Sequence, residues 1–352
     1  MQVMVLGAGF GERLRPLTDR LAKPALPLLG ETVLGRLVRD LAAAGADRIV
    51  YNTHHLADQV SLAAEEACPP GVDLLRSHEE RIQGTAGALR KAAELFRDEP
   101  LVVVNSDVIH DVDLARLVAL HRARRAKVTL VCRPDPEAEE YGPLGLDGEG
   151  WVRRFLGWRA PATEEASLRT VMFTGLQVVE PSILERIPSG FVSTTEALYP
   201  DLLRAGEPVF GVVHEGYWMD IGTPARYLQA QCDILQGRVG PPPPHRWRPP
   251  PGAVVTLHEP LWVAEDVIVE SRSALGPYAS VGPGSWLGPG VVVERSVLMA
   301  GVEVGPRTVL QGCIVAPEVR IPSGGDFVDS LITPGDGDGP LVTPIGPGGE
   351  AA

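Results

Sequence analysis

The sequence predicts an α/β chain in two parts. A Rossmann-like, mostly parallel sheet flanked by helices comes first, and a parallel β-helix of hexapeptide repeats follows. Three observations carry this expectation. Short apolar runs alternate with helical periodicity over residues 1–235. A proline-dense stretch occupies 240–252. Beyond it, aliphatic residues recur every six positions with Gly and Pro between them.

Residues 3–6 read as a short buried strand. Val33, Leu34, Leu37, Val38 and Leu41 then recur at helical spacing, and Gly45 supplies the stop. Strands are expected at 48–51, 72–75, 101–104 and 128–131, with helices at 56–67, 85–96 and 114–126. Such alternation builds a parallel sheet with helices on both faces. After residue 133 the pattern is mixed. Asp147-Gly148 marks a hairpin turn, 173–179 and 209–213 read as strands, and 195–203 and 225–235 as helices.

In the run from Gly240 to Gly252, proline excludes helix and central strand, so a stiff linker is expected. Arg246, Trp247 and Arg248 within it read as exposed, or as a dock onto the first domain. Val263, Val269, Leu275, Val281, Leu287 and Val293 are six residues apart. The register then slips by one, and Leu298, Val304 and Leu310 resume it. One aliphatic side chain per hexad points into the prism, and glycines such as Gly276, Gly282, Gly288 and Gly305 follow it at the corners. The expected organisation is an α/β domain at 1–239, a linker at 240–252, a β-helix of about three coils at 253–333 and a disordered tail at 334–352.

The chain has 352 residues, of which 39 are Gly and 33 Pro, about a fifth. That excess stays below the ~25–30% that signals low complexity. The net charge of −13 argues against nucleic acid and against anionic lipid, but not against a small anionic ligand in a local basic cleft. Cys68, Cys132, Cys232 and Cys313 show no metal or dithiol spacing and read as free thiols in a reducing compartment. No signal-like or membrane-spanning apolar run is present, so a cytoplasmic protein with no membrane partner is expected.

The first strand runs into Gly7-Ala8-Gly9-Phe10-Gly11-Glu12-Arg13-Leu14-Arg15-Pro16-Leu17-Thr18. A glycine loop at this place brings backbone N–H groups to phosphates or a base. A Walker loop would need Gly-Lys-Ser/Thr where Gly11-Glu12-Arg13 stands. The dinucleotide fingerprint would need Gly where Glu12 stands. What remains is a loop with three nearby cations, Arg13, Arg15 and Lys23, which either neutralise a triphosphate or belong to a plain βα turn with solvated arginines. Asp107 lies just past an apolar strand, at the end of the sheet where ligands bind. Asp220 precedes Thr223-Pro224, a helix cap and first-turn pair. The two carboxylates are either the ligands of one Mg²⁺ or turn and cap aspartates.

The glycine loop, the following Ala22-Lys23-Pro24, and four further strings resemble the sugar nucleotidyltransferases, or nucleotide-sugar pyrophosphorylases. The strings are Tyr51-Asn52-Thr53-His54-His55, Gly84-Thr85-Ala86-Gly87, Asn105-Ser106-Asp107-Val108-Ile109 and Trp218-Met219-Asp220-Ile221-Gly222-Thr223-Pro224. The resemblance covers 1–235 and is strongest to mannose-1-phosphate guanylyltransferases with a C-terminal left-handed β-helix. It implies transfer of a nucleotidyl group from a nucleoside triphosphate, with GTP favoured, to a sugar 1-phosphate.

As site residues it implies Arg13, Lys23, Asp107 and Asp220 for catalysis, the last two as Mg²⁺ ligands. Leu6, Gly7, Ala8, Gly9, Gly11, Glu12, Arg13, Gly84, Thr85, Gly87 and Asp107 would hold the nucleotide, with Glu79 or Glu80 near the base. Lys23, Gly142, Arg159 and Gly175 would hold the sugar phosphate. Relatives often carry a Glu-Lys-Pro lysine there; this chain has Phe155-Leu156-Gly157-Trp158-Arg159-Ala160-Pro161, so Arg159 stands in. Transfer of another nucleotide to a different sugar phosphate, and a non-catalytic nucleotide-sugar-binding subunit, are the competing expectations. An acyltransferase β-helix is disfavoured, because His258 is the only histidine there. His54-His55 reads as a loop or capping pair, and the β-helix as a surface for homo-oligomers.

Overall fold

The computed structural model describes residues 1–135, 143–161, 163–244, 246–335, 337, 339–346, 349 and 351. Gly142, expected at the sugar phosphate, lies outside them. The chain divides into two compact units. The first is Met1–Gly9 with Leu34–Trp218; the second is Phe10–Val33 with Met219–Ala352.

The first unit is built on a 10-stranded mixed sheet. Asp73–His78, Arg48–Thr53, Gln2–Leu6 and Leu101–Asn105 run parallel, in that order. The buried Val, Ile and Met side chains of Arg48–Thr53, Gln2–Leu6 and Leu101–Asn105 form near-continuous apolar runs, as strands covered on both faces require, whereas the edge strand Asp73–His78 is only partly buried. The long strand Arg169–Val179 then turns antiparallel to Leu101–Asn105. It also pairs with Val128–Arg133 and with the hairpin strand Leu144–Leu146. Its register with Val128–Arg133 shifts between Phe173 and Gln177, where Gly175 adopts φ 80°. That is a bulge built on a residue without a Cβ.

Helix Gly84–Lys91 is shorter than the expected 85–96 and passes into a 3₁₀ turn at Ala93–Leu95. The expected helix 195–203 begins as a wider π turn, Thr194–Leu198, before Tyr199–Arg204. Pro200 supplies no N–H in that first α turn.

In the second unit the glycine-loop continuation forms three short 3₁₀ turns, Glu12–Leu14, Leu17–Asp19 and Lys23–Ala25. Helix Pro224–Leu235 holds this segment, with the Tyr227 hydroxyl and Gln231 Nε2 both donating to the Pro27 carbonyl. The C-terminal region is a β-helix in three sheets of five, six and four strands, parallel except for the last strand of the six, Pro340–Pro344. Val263, Val281, Leu298, Val315 and Ile332 stack in register, as do Val269, Leu287, Val304 and Ile321. All nine aliphatic positions read from the repeat are at most 1% exposed. The ladder extends past Leu310, so the coils outnumber the three expected.

Two expectations need correction. The tail is not structureless throughout, because Pro340–Pro344 pairs antiparallel with Ser330–Pro334. Its Leu-Val-Thr core has the β-propensity to continue the sheet edge. The proline stretch is not wholly exposed either. Trp247 is 2% exposed, and its Nε1 donates to the Val267 carbonyl of the β-helix at 2.8 Å.

Candidate active site

In the first unit the glycine loop leaves the end of strand Gln2–Leu6. Leu6 sits half-buried opposite Asn105, and the Ser106 amide donates to the Leu6 carbonyl at 3.0 Å. The Gly7 amide donates to Asn52 Oδ1 at 2.7 Å. A Cβ on Gly7 would lie 3.1 Å from the Asn52 carbonyl oxygen, so the loop passes tightly over the neighbouring strand. Ala8 is buried and Gly9 is exposed with open space around it. Asp107 is half-buried, in the turn between Leu101–Asn105 and the short strand Val108–His110.

The turn that opens helix Gly84–Lys91 packs on segment 190–194. The Ala86 and Gly87 amides both donate to the Val192 carbonyl, at 2.9 and 3.1 Å. Thr85 Oγ1 accepts from the Thr194 amide at 2.8 Å. Gly175 lies under the Asn105 side chain, with its absent Cβ 2.5 Å from Asn105 Nδ2. Arg159 is exposed on its short strand. Trp218 donates from Nε1 to the Thr174 carbonyl at 2.9 Å, and the Arg133 guanidinium stacks 5.4 Å from its ring centre. The indole is therefore a packing group.

In the second unit, Gly11 starts the turn Glu12–Leu14 at φ 68°, and its carbonyl accepts from Thr18 Oγ1 at 2.9 Å. Lys23 is half-buried and packs against Gly11. Glu12 is exposed. Arg13 reaches the Asp220 carboxylate, with Nη2 3.8 Å from Oδ2. Arg226 Nη1 binds Oδ1 of the same carboxylate. Arg13 and Asp220, singled out from distant sequence, are thus brought together. Arg226 was not anticipated, because on sequence alone it reads as a polar position in the first helical turn. Thr223 caps that helix, accepting from the Arg226 amide at 3.4 Å.

His54 and His214 take structural places. His54 Nδ1–H donates to the Glu79 carbonyl at 2.8 Å. His214 Nε2 meets Asp111 Oδ1 at 2.8 Å, and Asp113 caps helix Leu114–Arg124. No thiol is set up as a nucleophile. Burial pushes Cys132 up to about 12, and Cys232 and Cys313 up to about 11.

Among the described residues no three His, Cys, Asp or Glu gather into a ready-made metal cage. Mg²⁺ does not need one. It takes one or two carboxylates and completes its shell with phosphates and waters. Asp107 in the first unit and Asp220 in the second each carry a hard oxygen donor of the kind Mg²⁺ takes. No helix among the described residues is long and apolar enough to cross a membrane.

Residues 2–237 match the nucleotidyl transferase family. The chain is 31% identical to a mannose-1-phosphate guanylyltransferase of Mycobacterium tuberculosis, over 92% of this chain and 82% of that one. It is 29% identical to a UTP–glucose-1-phosphate uridylyltransferase of Synechocystis, over 94% and 90%. Among solved structures, HddC from Yersinia pseudotuberculosis superposes with a TM-score of 0.56 at 22% identity, covering 65% of this chain and 97% of that one. At that identity the likeness is one of fold. The glycine loop, the acidic positions and a match across two thirds of the sequence agree: the chain belongs to the nucleotidyl transferase family, as a sugar nucleotidyltransferase.

Proposed function

We propose that the protein transfers a guanylyl group from GTP to mannose 1-phosphate, giving GDP-mannose and pyrophosphate. The observation that carries the reading is the Arg13–Asp220–Arg226 cluster, a carboxylate held between two cations beside the glycine-loop segment. Similarity to the mycobacterial guanylyltransferase along nearly the whole chain supports the choice of base and sugar.

In this reaction a phosphate oxygen of the sugar 1-phosphate attacks the α-phosphorus. The α–β phosphoanhydride bond breaks, and its electron pair leaves on pyrophosphate. The attacking phosphate is already ionised, so no general base is required. Catalysis then rests on bringing two anions together and on absorbing charge at the leaving group. Arg13, with a side chain 48% exposed, is reachable by a triphosphate and takes the charge developing on pyrophosphate. Lys23 acts as a point charge on the phosphates. Asp107 and Asp220 are the proposed Mg²⁺ ligands. The metal, when bound, neutralises phosphate oxygens.

Leu6, Gly7, Ala8, Gly9, Gly11 and Glu12 serve the nucleotide in this proposal, with Gly84, Thr85 and Gly87 on the base side. Gly142, Arg159 and Gly175 serve the sugar phosphate. A cytoplasmic location belongs to the same proposal and suits four free cysteines.

The Synechocystis relative favours one second reading, uridylyl transfer to glucose 1-phosphate. A matrix of triphosphates against sugar 1-phosphates, read as pyrophosphate release, decides between them. GTP with mannose 1-phosphate should give the highest kcat/KM. Asp107→Asn and Asp220→Asn should each abolish the Mg²⁺-dependent release while circular dichroism stays unchanged. Binding of nucleotide sugars with no turnover for any pair would instead identify a regulatory subunit.

A further inference from the structure

Glu79 and Asn52 are two polar side chains buried almost completely, at 1% and 3% exposure. They form one chain of hydrogen bonds. The Gly7 amide donates to Asn52 Oδ1 at 2.7 Å. Asn52 Nδ2 donates to Glu79 Oε1 at 2.6 Å. Glu79 Oε2 accepts from the Gln83 amide at 2.8 Å. The Glu79 backbone is pinned as well, since its amide donates to the Thr53 carbonyl and its carbonyl accepts from His54 Nδ1. Gln83 in turn accepts from the Val192 amide through its own carbonyl, at the residue before helix Gly84–Lys91.

The chain therefore links the carboxyl ends of three adjacent parallel strands, Gln2–Leu6, Arg48–Thr53 and Asp73–His78. One end is the first residue of the glycine loop. The other is the residue that precedes the Gly-Thr-Ala-Gly turn. A buried carboxylate that accepts from two N–H donors is satisfied, and a satisfied buried network is stiff. If one member loses its partner, the cost falls on a buried polar group, so the loops shift to relieve it.

We propose that Asn52 and Glu79 are positioning residues, a buried relay that fixes the glycine loop against the base-side turn, and that Glu79 governs nucleotide selection through this relay rather than by touching the base. The proposal deepens the guanylyl-transfer reading and rests on it. Direct readout of guanine by the Glu79 carboxylate is the alternative it excludes.

A reciprocal swap tests it. In Glu79→Gln, one oxygen remains for two donors, and the new amide faces an N–H. In Asn52→Asp, two carboxylates face each other. In the double variant Asn52→Asp/Glu79→Gln the whole chain can re-form with the same net charge. The new carboxylate at 52 accepts from the Gly7 amide and from the new amide at 79, whose carbonyl oxygen accepts from Gln83. Displacement of a positioned loop by about 1 Å costs on the order of 100-fold in rate. Each single variant should therefore lose kcat/KM for GTP on that order, chiefly through KM for GTP, with KM for mannose 1-phosphate moved less than threefold. The double variant should return to within about fivefold of wild type, and its melting temperature should recover with it.

If Glu79 contacts guanine directly, the double variant stays as poor toward GTP as Glu79→Gln even when its melting temperature recovers, and the proposal fails. Single variants with wild-type kinetics also overturn it. Failure of the guanylyl-transfer reading looks different: wild type itself releases no pyrophosphate from GTP. The same three variants assayed with whichever triphosphate wild type does use then decide the relay.

Discussion

Arg13 lies directly over Gly222 on its way to Asp220. A Cβ on Gly222 would stand 2.4 Å from Arg13 Nη2 and 3.0 Å from Asp220 Oδ2. The glycine of Trp-Met-Asp-Ile-Gly-Thr is thus the floor on which an ion pair between two distant segments rests.

Gly222→Ala should separate activity from stability. The atom it strikes is the far end of a flexible arginine, so Arg13 swings away with little cost to the fold. The expected melting temperature lies within about 2 °C of wild type, as for substitutions costing under about 0.5 kcal/mol. Pyrophosphate release should fall by about 10- to 100-fold, because one preorganised cation is displaced. Unchanged turnover would remove Arg13 from the reaction.

His110 predicts an acid-sensitive fold. Burial first, and His214 second, hold its imidazole down to about 4, with Asp111 opposing. Its Nδ1 accepts from the Val112 amide at 3.3 Å, and buried Nε2 meets no acceptor. The folded state therefore prefers the neutral ring, while the unfolded chain protonates near 6.5. This contribution to stability is complete above pH 6.5 and is lost as pH falls from there towards 4. By pH 5 the loss is about 2 kcal/mol. His110→Asn keeps an acceptor for Val112 and removes the titration. Denaturant melts at pH 7.5 and pH 5 should show the wild type losing more stability than the variant.

What the sequence made legible follows from how local each signal is. The β-helix could be read because each strand exposes one inward aliphatic to a fixed spacing, and all nine positions proved buried. The sheet order could not, since Arg169–Val179 turns antiparallel through a bulge that no pattern announces. The relay was invisible for a similar reason. Asn52 and Glu79 stand 27 residues apart and meet only because their strands are neighbours. Glu79 attracted notice as a carboxylate near the base, yet its two oxygens are turned to Asn52 and Gln83. Trp247 stands out in the proline stretch, yet its partner could not be read, because the Val267 carbonyl lies 20 residues on and no local pattern marks it.

Leu287 tests the ladder. Its side chain is fully buried between Val269 and Val304 in the stacked register. Leu287→Ala leaves a cavity that rigid flat strands cannot close, so a loss of about 2–5 kcal/mol is expected in denaturant titrations. A loss below about 1 kcal/mol would mean that the coil collapses around the gap.

Trp247 gives the sharpest test of the linker. The indole contributes two separable things, its buried area and the Nε1 hydrogen bond to Val267. Trp247→Phe keeps most of the area and removes the bond, which costs about 1 kcal/mol. Trp247→Ala removes both, about 3–5 kcal/mol. That exceeds what a short proline-rich segment with exposed flanks can recover elsewhere, so 240–252 should detach locally rather than unfold the chain. Trypsin reports this at Arg246, since Arg248 is followed by Pro249. Cleavage should be slow in wild type, modestly faster in Trp247→Phe, and at least tenfold faster in Trp247→Ala. Pyrophosphate release by the uncut Trp247→Ala protein should stay near wild type. Equal cleavage rates in all three proteins would show that the indole does not hold the segment down.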